Sequence, residues 1–306
     1  MSFKVAGIKE LYTAPGSAAF PSDGTGAIGA GFRGKAKLKI SPFNAVKNEK
    51  FNVEFQRLQN VNIEVPCNQM ALIDLKAYFG YALASDASLA VVTSGVVKST
   101  DITASGGLLT FDNLNSLGCD IELTLSPKDA EIKLTFERAF DVDTMASLLA
   151  ASTTNSISST LVLPHLVSTS LPVKGQTGLK LGAASAIASE QIADWKVIVK
   201  SRSTKTALNK SIVSGFDVTV ETTFANLDIT TIAANVITQF LSSDVSVIIP
   251  IASNYNLTFK KEALVGNGEF DLDDDKRELK LTFTGFYDAE FVDLSDSSNI
   301  IFKALL

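Results

Sequence analysis

The 306-residue chain has little of what most site chemistry needs: one histidine, two cysteines, one tryptophan and three methionines. His165 stands alone in the apolar stretch Leu163-Pro164-His165-Leu166, where a single histidine could serve a Cys or Ser nucleophile, and it reads as a structural residue. No CxxC or CxxH spacing surrounds Cys67 or Cys119, which argues against a zinc site. Long apolar runs are missing too. No stretch approaches the ~18 apolar residues of a membrane span, and Met1-Ser2-Phe3-Lys4-Val5 lacks the apolar core of a signal peptide. A soluble protein made in the cytosol with reduced thiols is expected, with no membrane partner.

A surplus of positive charge is also missing. Lys and Arg total 27 against 33 Asp and Glu, a net charge of −6. Gripping nucleic acid relies on Lys and Arg displacing counterions from phosphate. A mildly acidic chain suits a surface that DNA passes without sticking, and equally an ordinary soluble protein.

Three further patterns fall short of a site. Gly24-Thr25-Gly26-Ala27-Ile28-Gly29 spells GxGxxG, but a nucleotide fold needs a buried strand before it and a helix after it. Phe20-Pro21-Ser22-Asp23 precedes it and a Lys-rich strand follows. Asp271, Asp273, Asp274 and Asp275 cluster, yet Lys276 and Arg277 interrupt the run where a calcium loop needs a Gly and a distal Glu. A solvated hairpin tip is the simpler reading. Glu54, Glu64 and Glu122 lie on strand patterns with nothing to single out an acid–base pair. No GxSxG elbow is present. We expect a non-enzymatic protein with no catalytic residue, cofactor or metal.

What is present is repetition. Glu131-Ile132-Lys133-Leu134-Thr135-Phe136 returns as Glu278-Leu279-Lys280-Leu281-Thr282-Phe283 at an offset of 278 − 131 = 147. Val61 to Val65 resembles Phe216 to Val220 at an offset of 216 − 61 = 155. Ile121 to Leu125 resembles Tyr255 to Phe259, and Lys37-Leu38-Lys39-Ile40 resembles Lys196-Val197-Ile198-Val199. Changing offsets place insertions in the connections, where loops tolerate them. In this alignment Cys67 meets Thr222, Cys119 meets Ser253 and Trp195 meets Ala36, so neither thiol belongs to a repeated site.

The repeated segments alternate apolar and polar residues, the mark of a strand with one buried face. Leu72, Leu75 and Phe79 form a helical stripe, and Ile229, Ile232, Val236 and Phe240 form another beyond Asp228. A helix carrying Met145, Leu148 and Leu149 is expected after Asp143, and a short one between Ala183 and Ala193. The expected fold is mainly β with a few flanking helices, in two tandem β-sandwich or half-barrel domains of similar fold. The domains are 35–160 and 161–306, after an N-terminal arm or Gly-rich loop over 1–34. The Ser/Thr-rich segment Ala151 to Ser159 marks the boundary region, which extends as far as Pro172.

Ser214 to Asp228, an alternating strand, a short acidic link and a helix start near Leu227, resembles the strand-then-helix unit of bacteriophage tail-tube proteins. Val61 to Phe79 is a looser version, interrupted by Pro66. The resemblance covers about a third of the chain. It implies small β-sandwich domains whose inner sheets join into a ring, and rings that stack into a hollow tail tube for DNA. The implied setting is the virion tail, assembled from protein made in the host cytoplasm. Implied partners are further copies of the chain, as a trimer with pseudo-six-fold symmetry or a hexamer, and other tail proteins such as sheath or baseplate. DNA would pass through the lumen without specific binding. The segments Ser41 to Arg57 and Ser201 to Ile212 are expected to be assembly loops. The competing classes are a capsid-associated or decoration protein and a β-sandwich binding or adhesion module.

Overall fold

In a computed structural model, the structure describes residues 3–4, 10–15, 37–44, 57–67, 72–84, 87–92, 96–97, 108–111, 116–126, 130–151, 180–181, 192–225, 246–252, 255–260, 264–271, 278–297 and 299–303. The first half runs β1 (Phe3–Lys4), β2 (Glu10–Pro15), β3 (Lys37–Asn44), β4 (Arg57–Cys67), α1 (Leu72–Ala84), β5 (Ala87–Val92), β6 (Val96–Val97), β7 (Leu108–Phe111), β8 (Gly118–Leu125), β9 (Ala130–Phe140) and α2 (Val142–Ala151). The second runs β10 (Lys180–Leu181), β11 (Ile192–Lys205), β12 (Ser211–Ala225), β13 (Ser246–Ala252), β14 (Tyr255–Lys260), β15 (Leu264–Asp271) and β16 (Glu278–Asp288). A one-turn 3-10 helix (Ala289–Phe291), β17 (Val292–Asp293) and β18 (Asn299–Phe302) complete it. The protein is mainly β with flanking helices, as its alternating patterns predict.

The largest sheet has the strand order β15-β16-β12-β11-β8-β9-β4-β3. Its order can be written as two quartets, β15-β16-β12-β11 and β8-β9-β4-β3. Each quartet places the strands of one half in the same succession. The smaller sheets behave alike: β2-β5-β7 stands in the first half and β10-β13-β14, extended by β18 and β17, in the second. Within both, the corresponding pairings are antiparallel.

Burial follows the same offsets. Ile132, Leu134, Phe136 and Phe140 are buried in β9, and 147 residues on Leu279, Leu281, Phe283 and Tyr287 are buried in β16. Leu58, Val61 and Ile63 are buried in β4, and 155 residues on Val213, Phe216 and Val218 are buried in β12. Both strands also bury two successive residues at the matching place, Asn60 with Val61 and Gly215 with Phe216. A strand with one buried face does not bury two neighbours in succession, and on either side of this point the buried residues alternate in opposite phase, so each strand changes its buried face there. Helical turns begin at matching places as well, α2 at Val142 and the 3-10 helix at Ala289, each directly after an Asp.

The chain divides into two compact units that do not coincide with the sequence halves. Unit 1 comprises Met1–Ile121, Lys133–Ser168 and Ser203–Val213; unit 2 comprises Glu122–Ile132, Thr169–Arg202 and Ser214–Leu306. In unit 1, α1 buries Leu75, Tyr78, Phe79, Tyr81 and Ala82. Helix α2 is capped by Asp141, whose carboxylate accepts bonds from the Thr144 amide and hydroxyl, both at 2.7 Å. The amide bond and then the hydroxyl bond hold the Asp141 carboxyl below its ordinary pKa. In unit 2, Phe216, Phe259, Tyr287 and Phe302 pack ring on ring, with centroids 4.9 Å apart for Phe259 and Phe302. The buried Tyr287 hydroxyl donates to the Lys260 carbonyl at 2.6 Å.

Four expectations need correction. Ser201 to Ile212 is mostly strand, with only the tip between β11 and β12 as a turn. Ile192 and Ala193, expected to end a helix, begin β11. Ile121 to Leu125 and Tyr255 to Phe259 lie in different sheets, so their likeness is strand composition rather than equivalent position. The expected arm over 1–34 contains β2, which pairs with β5. The helix expected beyond Asp228, the glycine motif at 24–29, His165 and Asp273 to Asp275 lie outside the described residues, as do residues 45–56 of the other expected assembly loop.

Candidate assembly surfaces

The hairpin of β11 and β12 carries the densest polar contacts. Its tip closes with Asn209 N–H donating to the Thr206 carbonyl at 2.9 Å and Thr206 N–H to the Lys210 carbonyl at 3.0 Å. Asn209 holds φ at 54°, a left-handed conformation that Asn tolerates better than most side chains. The tip belongs to unit 1 and is tied to that unit's other strands. Ala139 N–H donates to the Leu208 carbonyl at 2.6 Å. The Asn209 amide donates to Asn60 Oδ1 at 2.9 Å and to Glu137 Oε1 at 2.8 Å.

Beside it, the Lys205 ammonium donates to Glu137 Oε2 at 2.7 Å and to Ser211 Oγ at 2.6 Å, and lies 3.4 Å from Asp120 Oδ2. The Ser211 hydroxyl in turn donates to Asp120 at 2.7 Å. Partial burial acts to raise the Glu137 pKa. The Lys205 hydrogen bond and charge, with bonds from the Asn60 and Asn209 amides, outweigh it and hold the carboxyl below its ordinary value. The group is a structural clasp with every carboxylate matched by donors; it offers no unpaired base.

That clasp has a pH consequence. A carboxyl whose pKa is depressed on folding contributes stability above its unfolded pKa of about 4.3, lost as pH falls through the folded value. Glu137→Gln is therefore expected to lower the melting temperature at pH 7, with the gap to wild type narrowing below about pH 4. A gap that stays constant from pH 7 to pH 3 would contradict the clasp.

A second surface is the junction at the middle of the large sheet, which lies in unit 2 where its register is defined. Strands β11 and β8 run antiparallel with Val197 opposite Leu125, Ile198 opposite Thr124, Val199 opposite Leu123 and Lys200 opposite Glu122. Lys200 and Glu122 form an ion pair at 2.6 Å. Being half exposed it contributes under about 1 kcal/mol, and it favours this register over its neighbours. Nearby on β11, Arg202 pairs with Asp217 and lies 4.5 Å from the Phe286 ring centre.

The third surface is the two ends of the same sheet. β3 and β15 are terminal, with no further strand beside either among the described residues. Lys37, Lys39, Ile40 and Pro42 are exposed on β3, and Val265, Asn267, Gly268 and Glu269 on β15. Adjacent exposed residues mean that both faces of each edge meet solvent. An edge presenting unpaired backbone groups is a template for another strand.

Of the residues considered for chemistry, Cys119 is buried in β8; burial first, and the neighbouring Asp120 charge second, push its thiol pKa well above the ordinary value. Such a thiol is no nucleophile near neutral pH. Cys67 ends β4, and Trp195 is half-buried in β11. Glu64 lies 4.0 Å from Lys133, and Glu122 is spent on Lys200, so these carboxylates are not brought together. Among the described residues, no three His, Cys, Asp or Glu converge as a metal set, and no helix is long and apolar enough to cross a membrane. The clasp around Glu137 escaped sequence reading because its members come from positions as far apart as Asn60 and Asn209. No family model, curated protein or solved structure matches the chain.

Proposed function

We propose that this chain is a virion structural protein, a duplicated tail-tube subunit whose two copies of one domain sit side by side in a ring that stacks into a hollow tube. The observation that carries this reading is the strand order. β8-β9-β4-β3 and β15-β16-β12-β11 follow one succession, and β8 pairs with β11 within the chain, which supports reading them as one quartet built twice. A protein whose own halves add sheet to sheet has the geometry for adding further copies the same way. Each copy also keeps its helical turn at the same place after the closing strand. Three chains would supply six copies, so a pseudo-six-fold trimer is the simplest closure, with a six-chain ring the alternative. The net charge of −6 suits a lumen that does not hold phosphate. Negative-stain microscopy of the purified protein at high concentration tests this: rings or tubes of uniform diameter are expected. Dispersed monomers at every concentration would contradict it.

A further inference from the structure

We infer that the free edge of β15 takes β3 of a second copy of this chain, antiparallel, in the register that sets Lys39 opposite Asp271. The inference rests on reading the chain as a ring-forming protein and specifies the joint that would close the ring.

Three observations converge on it. The first is position. β3 ends one quartet as β11 ends the other, and β15 ends its quartet as β8 does. The strands that meet inside the chain, β11 and β8, are the counterparts of the two that are left open. The second is exposure. Ile40 on β3 is 42% exposed, whereas its counterpart Val199 on β11 is 0% exposed. On β8 Gly118 and Ile121 are buried, whereas their counterparts 147 residues on, Val265 and Gly268 of β15, are exposed, Val265 by 68%. The internal joint buries these strand positions, and the open edges leave them wet.

The third observation is charge. β8 carries Asp120 and Glu122 and no base, and the facing stretch of β11 carries Lys196, Lys200 and Arg202 and no acid. β15 carries Glu269 and Asp271 and no base, and β3 carries Lys37 and Lys39 and no acid. The open edges therefore repeat the acidic-to-basic match of the internal joint. Pairing β3 with β3, or β15 with β15, would set like charges opposite one another, which destabilises a strand pair. The register follows from the offsets. Lys39 corresponds to Ile198, since 39 + 159 = 198, using 196 − 37 = 159. Asp271 corresponds to Thr124, since 271 − 147 = 124, when the offset of the closing strands is carried through their hairpin. Ile198 and Thr124 are partners in the internal joint.

Partners in an antiparallel pair have Cα atoms roughly 4.5–5.5 Å apart, within the span of a disulfide. Lys39→Cys and Asp271→Cys proteins are made separately, each with the native cysteines, then mixed and oxidised. A disulfide-linked dimer is expected from an equal mixture for up to about half of the chains, the ceiling set by random mixing of two single variants, and not from either variant alone. Micrographs with rings but no mixed dimer would overturn this joint and leave the ring reading standing. Monomers by mass, with no mixed dimer, would overturn both. A double variant that crosslinks only within its own chain would also overturn the joint, showing that the sheet closes on itself. A charge exchange gives an independent check: Lys39→Glu should weaken assembly at least tenfold, and adding Asp271→Lys should restore it, whereas no restoration would count against the pairing.

Discussion

Gly118→Val is expected to destabilise the protein by about 3 kcal/mol, near the upper end of what overpacking costs. A Cβ at Gly118 would run into the Ser211 backbone amide nitrogen, and it would lie 2.6 Å from the Ser211 carbonyl oxygen and 2.9 Å from its Cα. These are backbone atoms and have no rotamer to move to. Ser211 is held by Lys205 and Asp120, so displacing it also strains the clasp. Gly268→Ala makes the contrast. Its Cβ would meet only the end of the Leu281 side chain, at 3.2 Å, and a cost below about 1 kcal/mol is expected. Urea denaturation of both variants measures the difference. Equal costs would mean that β8 does not carry the close approach described.

Phe136→Ala and Phe283→Ala are each expected to cost about 3–5 kcal/mol, the range for deleting a buried phenylalanine. Both rings are 0% exposed, and they stand 283 − 136 = 147 residues apart in the two closing strands β9 and β16. If the halves are one domain built twice, the two substitutions act on the same core position and their costs agree within a factor of about two. A loss under 1 kcal/mol at either site would break that equivalence. Because the positions lie far apart in sequence and belong to different compact units, the double variant should show nearly additive loss.

Much of the fold is legible in the sequence because its strands each bury one face. Ile132, Leu134 and Phe136 alternate with Lys133, Thr135 and Glu137, and the same rhythm in β16 marks a second strand of the same kind. Helix α1 is legible from Leu72, Leu75 and Phe79 at helical spacing, and it spans Leu72–Ala84. Helix α2 is found as well, although Asp141 rather than Asp143 caps it. The end of β11 is illegible for a physical reason. From Lys200 to Lys205 it has no apolar residue, so no period-2 signal exists, and its partners are charges on β8, β9 and β12. The match of Ile121–Leu125 to Tyr255–Phe259 fails for the opposite reason, since alternation identifies a strand without saying which sheet it enters. The open edges are invisible to pattern altogether. Their meaning comes from the order of strands, which composition does not encode.

The central claim is that two copies of one domain per chain join edge to edge, first within the chain and then between chains. Electron cryomicroscopy of the assembled protein at a resolution that separates strands tests it most directly. The expected map is a closed ring in which one β-sheet runs unbroken from chain to chain, β15 beside β3, around a lumen without a lining of Lys and Arg. A particle with no sheet continuity between chains, or a lumen lined mainly by Lys and Arg, would contradict it.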